Sequence, residues 1–573
     1  MSLQATEALT SVNSPTLSSV QSISCTASDT FDKSNKSDTS DALVTLVTLV
    51  DDLDAPDDKS TCSHLMSETD SVQKLKSRYE PERTHGIHHV IDPDGFLDYH
   101  KQVHISMFAE NRDRVVDVLR QNCVVSRNSA IVLQGGKDFH QYDTDCDFNF
   151  KQESFFAYMF AISEPNCYGA IDLENNESIL FVPSQDTSDA IWMGPIKTTD
   201  FYRQKYGVDK CYRVEDLPEV LTERGVQTLY LPKGVNMNSG RENEPVVFAN
   251  IDMFEHNYKD LTPAMCEARV IKSEKELNLM RFINTLSSNA HKHVMKIAKT
   301  CVYERGLEAE FLHYINMHYG CRHVSYGCIC CSGHNGAILH YGHAGAPNDR
   351  KLQDSDMLLL DMGAEYYNYG SDITCSFPKS GKFTDDQKLI YNAVLDSQLE
   401  VERNVKAGVS WRTLQRISEV VIVKHLVDIG VVVSNGLTVE QLVDEHNIAR
   451  LFMPHSFGHL LGMDVHDVDS HHPHYPDELT AMDNTLLSRK DSLLRSGMVI
   501  TVEPGIYFNE ALLLPILSNP DDTRYKYLNS DRVISLMNFG GVRLEDDVIV
   551  KDDGCELMTK VPKSVDEIEE LMK

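Results

Sequence analysis

Residues 455–474, HSFGHLLGMDVHDVDSHHPH, carry six histidines, and four acids elsewhere in the chain end or interrupt apolar strands. Asp361 closes MLLLD, and Asp372 follows the Gly- and Tyr-rich stretch GAEYYNYGS, which can turn the chain back and bring both carboxylates to one point. Glu503 follows MVITV and precedes Pro504, which holds it extended, while Glu545 lies in the alternating stretch GVRLEDD. Singly, each acid reads equally well as a strand-end carboxylate bonded to a turn. Together they make a stronger case, because acids at such positions are costly unless paired or bound to a cation. Four carboxylates bring a formal charge that two divalent cations would neutralise, and an oxygen-rich shell with one imidazole suits Mn²⁺ or Mg²⁺ better than a cysteine-rich zinc site. His455 and His459 stand four apart, a spacing that could put two ligands on one helical face, but Gly458 and Gly462 oppose a stable helix. His471, His472 and His474 fall among Asp, Ser and Pro and read as a solvated loop at a pocket rim.

The elements that must carry these residues follow from hydrophobic periodicity. SAIVLQGG, CYGAIDL, SILFVP and VQTLYLP alternate with helical stretches such as NRDRVVDVLRQN, so residues 91–260 predict an α/β domain. Ser273 to Lys299 keeps a 3.6-residue period behind a Ser-x-x-Glu capping pattern and predicts a long helix. MLLLDMG, SDITCSF, GMVITVEPGIYF and GVRLEDDVIV then predict strands of an α+β domain, mostly antiparallel, over residues 261–573. Residues 1–90 are rich in Ser, Thr and Asp, nearly free of aromatics, and read as a disordered acidic tail; ALVTLVTLV inside it is too short to span a bilayer.

Composition narrows the function further. The chain has 573 residues with 54 basic and 86 acidic side chains, a net charge of −32. Nucleic acid and anionic membranes would be repelled, so neither is an expected partner. Fourteen cysteines without a disulfide-like rhythm, and no signal-like opening, point to a reducing, cytoplasmic setting. Cys321, Cys328, Cys330 and Cys331 superficially suggest a zinc motif, but no second Cys or His pair stands at a partnering distance.

DMGAEYYNYGSDITCSF, HSFGHLLGMDVHD, TVEPGIYF and GVRLEDD together resemble the pita-bread metallopeptidases, and LHYGHAGAPNDR and SYGCIC resemble the Xaa-Pro dipeptidase branch of that family, the prolidases. The resemblance extends from about residue 95 to the C-terminus, including QESFFAYMFAISEPNCYGAID in the first domain. It implies a pita-bread catalytic domain behind an aminopeptidase P-like α/β domain. It also implies a metal shell of Asp361, Asp372, His459, Glu503 and Glu545, holding two divalent ions, by preference Mn²⁺. The implied reaction is hydrolysis of Xaa-Pro dipeptides, with release of C-terminal proline, by hydroxide bridging the two metals; the implied role is proline recycling and peptide catabolism. Glu503 would double as proton acceptor, His466 would stabilise the oxyanion, and His340 and His455 would serve the reacting substrate. Tyr326, His340, His466, Arg489 and Arg543 would contact substrate. The family's homodimers imply that Trp192 helps close a partner's site.

Two departures from the family pattern stand out. Ser456 occupies the first glycine of the usual His-Gly-x-Gly-His, and CCSGHNGA replaces the usual Gly-Ser-Gly-Glu-Asn pattern before His340. If Ser456 must adopt a glycine backbone, His455 is displaced. Aminopeptidase P shares the five ligands and is the nearest alternative, and a non-catalytic scaffold with a docking tail is the alternative from another class.

Overall fold

The computed structural model describes residues 105–236, 238–468, 471–472 and 493–573. The acidic segment 1–90, Arg489 and His474 lie outside the described residues.

The first domain opens with α1 (Ser106–Asn122) and a six-stranded sheet follows. Its strands are β1 (Ser129–Gln134), β2 (Tyr168–Asp172), β3 (Glu177–Val182), β4 (Lys210–Arg213), β5 (Thr228–Tyr230) and β6 (Glu255–Asn257), in the order β4-β3-β2-β1-β5-β6. The sheet is mixed: β1 runs antiparallel to β2 but parallel to β5. Strand alternation sends Ile131 and Leu133 into the main core beside α1 and α2 (Ser154–Phe160), and Ala130 and Val132 to the opposite face against Leu217 and Leu221. This is the α/β domain that the periodicity predicts.

The link to the second domain is α4 (Leu261–Val270), preceded by the short α3 (Asp189–Met193) on the first domain and followed by α5 (Glu274–Ile297). Ser273 and Glu276 form the expected capping box, each side chain bonding the other's backbone N–H. After α5 come α6 (Glu304–Tyr319) and an antiparallel sheet of β7 (Ile329–Ser332), β8 (Met357–Asp361) and β9 (Thr374–Pro378). Two further helices, α7 (Asp385–Asn404) and α8 (Trp411–Asp428), pack on each other.

The last strands differ from the sequence reading. GMVITVEPGIYF is two strands, β10 (Val499–Val502) and β11 (Gly505–Tyr507), and GVRLEDDVIV is also two, β12 (Gly541–Arg543) and β13 (Asp546–Val550). β10 pairs with β13 while β11 pairs with β12, so each continuous run serves two separate sheets. Both breaks fall at the acids: Glu503 and Pro504 in one, Leu544 and Glu545 in the other. A strand that changes sheet must bend there, and the bend frees the acid to face inward. A second correction concerns His471 and His472, expected in a loop: their backbone pairs antiparallel with Val235–Asn236 of the first domain and adds a third strand to the hairpin that these form with Arg241–Glu242. Among the described residues no helix is long and apolar enough to cross a membrane.

Candidate metal centre

Five chain segments converge on the acids. Asp361 ends β8, and the antiparallel register that pairs it with Thr374 returns Asp372 alongside. The expected turn is present as a small hairpin, with Glu365–Tyr366 pairing to Tyr369–Gly370. His459 comes from a segment that runs along β10 without being helical. Glu503 donates its N–H to Phe457 O at 2.7 Å, Thr501 to His459 O at 2.9 Å, and Leu461 to Val499 O at 3.0 Å. The approach is so close that a Cβ on Gly458 would lie 2.1 Å from Thr501 O, which is why glycine stands there.

The geometry fits a cation. One ligand atom each from Asp372, His459 and Glu545 lie within 4.8 Å of one another. His459 Nδ1 faces Leu460 O at 3.0 Å, which assigns the proton to that nitrogen and leaves the Nε2 lone pair pointing at acceptors. Those acceptors are Asp372 Oδ2 and Glu503 Oε1, both 3.3 Å away. Three lone-pair donors at such distances repel unless a cation sits among them. Asp361 Oδ1 is buried with no hydrogen-bond partner, an orphaned acceptor of the kind a metal ion satisfies. Burial, then the neighbouring carboxylates, push Asp372 and Glu545 far above the ordinary carboxylate range. Burial raises Glu503 as well, although His459 and Arg543 oppose it. These acids stay ionised only against compensating positive charge.

Around the centre, Arg543 is fully engaged. Its Nη2 donates to Asp361 Oδ2 at 2.5 Å, its Nη1 to Tyr507 Oη at 2.9 Å and its Nε to Thr374 Oγ1 at 3.0 Å. Thr374 Oγ1 in turn donates to Glu545 Oε2 at 2.6 Å, so Arg543 and Glu545 meet at one hydroxyl across the strand break. His455 Nε2 lies 2.9 Å from Tyr507 Oη, and burial, with the Arg543 charge, lowers its imidazole to about 3. His466 packs edge-on against His459 at 4.5 Å, and the electrostatic influence of that ring, then burial, lower its imidazole to about 3. His340 is exposed. Its segment is pinned by the buried Glu304, which accepts from Ser332 Oγ, Asn335 Nδ2 and the Tyr341 hydroxyl. The Tyr326 hydroxyl is buried beside Asp361 and Asp372; burial and those acids push it far up. Trp192 is 84% exposed on α3, with Ile191 and Met193 beside it.

Ser456 does not carry the strain expected of it. Its φ is not positive, and its Oγ accepts the Trp411 indole N–H at 3.0 Å. Cys328, Cys330 and Cys331 are buried in and beside β7.

Four residues around the acids escaped sequence reasoning: Thr374, Thr501, Tyr507 and Asp547. Thr501 Oγ1 accepts from His459 N–H at 3.0 Å and donates to Glu503 Oε1 at 3.2 Å, and Asp547 Oδ2 accepts the Asp372 N–H at 3.0 Å. Burial pushes Asp547 up to about 7. A signal existed, because Thr374, Thr501 and Asp547 each stand two residues from an acid of the centre, the spacing that shares a face in the alternating runs of the sequence.

The chain matches the profile of metallopeptidase family M24 over residues 278–552 and that of the aminopeptidase P N-terminal domain over residues 108–230. It is 44% identical to the Xaa-Pro dipeptidase of Rattus norvegicus over 473 residues, covering 82% of this chain and 94% of that one. It is 34% identical to the probable Xaa-Pro aminopeptidase pepP of Pyrenophora tritici-repentis over 450 residues, covering 78% and 92%. Among solved structures, Escherichia coli aminopeptidase P with the inhibitor Pro-Leu superposes with a TM-score of 0.65 at 27% identity, covering 82% of this chain and 98% of that one.

Proposed function

Because the chain belongs to metallopeptidase family M24, we propose that it hydrolyses Xaa-Pro dipeptides and releases C-terminal proline, serving proline recycling and peptide catabolism. The observation that carries this reading is the convergence of His459 and the buried acids, with the orphaned Asp361 oxygen among them.

Asp361, Asp372, His459, Glu503 and Glu545 would hold two divalent ions, by preference Mn²⁺, which when bound activate water and polarise the scissile carbonyl. The chain's own groups do the rest. Glu503, held by the Thr501 hydroxyl and facing His459, takes the proton of the attacking water and returns it to the proline nitrogen as the bond to it breaks. His466, edge-on to the His459 ring, offers a hydrogen bond to the developing oxyanion. His455 is held by Tyr507 and through it by Arg543, so its ring cannot swing away from the substrate. Tyr326, His340 and Arg489 complete the substrate contacts. Arg543 acts on substrate through the groups that it holds.

A bond to proline is a tertiary amide without N–H, so recognition must come from the ring and the carboxylate. An arginine paired with the carboxylate directly after proline excludes longer peptides, which carry a neutral amide there. Arg489→Ala is therefore expected to weaken Gly-Pro turnover far more than metal binding; equal losses of both would remove Arg489 from this role. The active form is read as a homodimer in which Trp192 closes the partner's site, and as cytoplasmic, in keeping with free cysteines throughout the described residues.

Aminopeptidase P activity is the second reading, favoured by the fold similarity to that enzyme. One assay separates them. Gly-Pro and Gly-Pro-Pro are compared after chelation and after Mn²⁺ add-back. Cleavage of Gly-Pro that is lost on chelation and restored by Mn²⁺ is expected, and preference for the tripeptide would favour the second reading.

A further inference from the structure

His466 sits in a loop that doubles back on itself. Asp467 N–H donates to Leu460 O at 3.0 Å, Gly462 N–H to Asp464 O at 3.2 Å, and Gly462 O accepts from Gly370 N–H at 2.9 Å. A Cβ on Gly462 would lie 2.4 Å from Asp467 Oδ2, so this carboxylate packs directly on the loop's own backbone.

Both acids flanking His466 are gripped from the domain link. Arg269, at the end of α4, donates from Nη2 to Asp464 Oδ2 at 2.8 Å and to Asp467 Oδ1 at 2.7 Å. Lys272 Nζ donates to Asp467 Oδ2 at 2.7 Å. The side chains of Arg269 and Lys272 are each 2% exposed and that of Asp467 is 1%. The first domain joins in: Ser154 Oγ donates to Asp464 Oδ1 at 2.5 Å, and the Phe155 ring lies 4.8 Å from the guanidinium.

Arg269, Lys272 and Asp467 are buried while Asp464 is 31% exposed, and apolar packing would fill the buried part of this space without the cost of desolvating its charges. What an ion network adds is directional geometry. Burial alone would raise the Asp467 carboxyl, but Lys272 and Arg269 outweigh it and hold it below its ordinary value. Arg269 Nη2 meets both acids while its planar guanidinium lies over the Phe155 ring, a plane that an ammonium on a flexible stem does not offer.

We propose that Arg269 is a positioning residue for His466: by holding Asp464 and Asp467 it sets the loop that carries the imidazole, and its guanidinium over the Phe155 ring, beside the Ser154–Asp464 hydrogen bond, ties that loop to the first domain. The inference rests on the reading of His466 as a substrate-site histidine.

The test is a double-mutant cycle. Wild type, Arg269→Lys, His466→Ala and the double variant are compared for kcat, KM and metal content by mass spectrometry, on whichever of Gly-Pro or Gly-Pro-Pro the wild type cleaves. Arg269→Lys is expected to lower kcat on the order of tenfold, since small misplacements of a reacting group are expensive, with metal content unchanged. In the His466→Ala background the same change is expected to cost nothing further, because groups acting through one residue are not additive. Equal losses in both backgrounds, or metal loss parallel to activity loss, would overturn the inference alone. Wild-type activity in His466→Ala would overturn it together with the reading of that histidine. Should Arg269→Lys fail to fold, Asp464→Asn, on a carboxylate 31% exposed, carries the same cycle.

Discussion

At the scale of single residues, Ser456 shows how a departure from a family pattern can be absorbed. The family glycine suggests a backbone that serine resists, yet the backbone here asks nothing unusual of it, and the hydroxyl has acquired a task. Trp411 is 4% exposed and stacks on Phe457 at 4.2 Å, with its N–H on Ser456 Oγ. Restoring glycine leaves that donor buried without its partner, a loss of about 1–3 kcal/mol. Ser456→Gly is therefore expected to lower the thermal unfolding midpoint, and a raised midpoint would show that strain was present after all.

At the scale of elements, α5 is legible from its period and cap, but its buried face holds a group that periodicity does not explain. His291 is 1% exposed and Nε2 faces Met362 O at 2.8 Å, next to Asp361. Burial lowers its imidazole from 6.5 to about 4. Between those values the unfolded chain binds a proton that the folded chain refuses, so stability rises with pH and is lost on acidification, by about 1.4 kcal/mol per pH unit. His291→Gln can keep the hydrogen bond to Met362 O without titrating. Urea unfolding of both metal-free proteins at about pH 7 and about pH 5 is expected to show a drop roughly 2 kcal/mol smaller in the variant. Identical drops would mean that His291 does not titrate as its burial requires.

For the whole molecule, the five expected metal ligands, the histidines around them and the interdomain ion network all lie beyond residue 150. Removal of residues 1–90 is accordingly expected to leave Gly-Pro turnover and metal content unchanged, and loss of either would give the acidic segment a part in the site. The net charge of −32 is spread over both this segment and the folded domains, so the deletion also tests whether charge on the tail matters to catalysis.

The sequence by itself singled out four acids at the ends of apolar runs, the α/β and α+β order and the long helix α5, because these depend on residue type and local period, while His459 was pointed to by the motifs shared with the family. It could also have flagged Thr374, Thr501 and Asp547, two residues from the acids on strands that alternate. Tertiary structure decided the rest. It split two apparent strands at Glu503 and Glu545, since a strand serving two sheets has to bend and only the closed fold says where. It turned His459 toward Asp372 and Glu503 through pairing along β10, where spacing alone left His455 an equal candidate. It paired the backbone of His471 and His472 with the first domain and set Arg269 against two acids nearly two hundred residues away, because contacts of that range depend on how the chain closes, which no local pattern encodes.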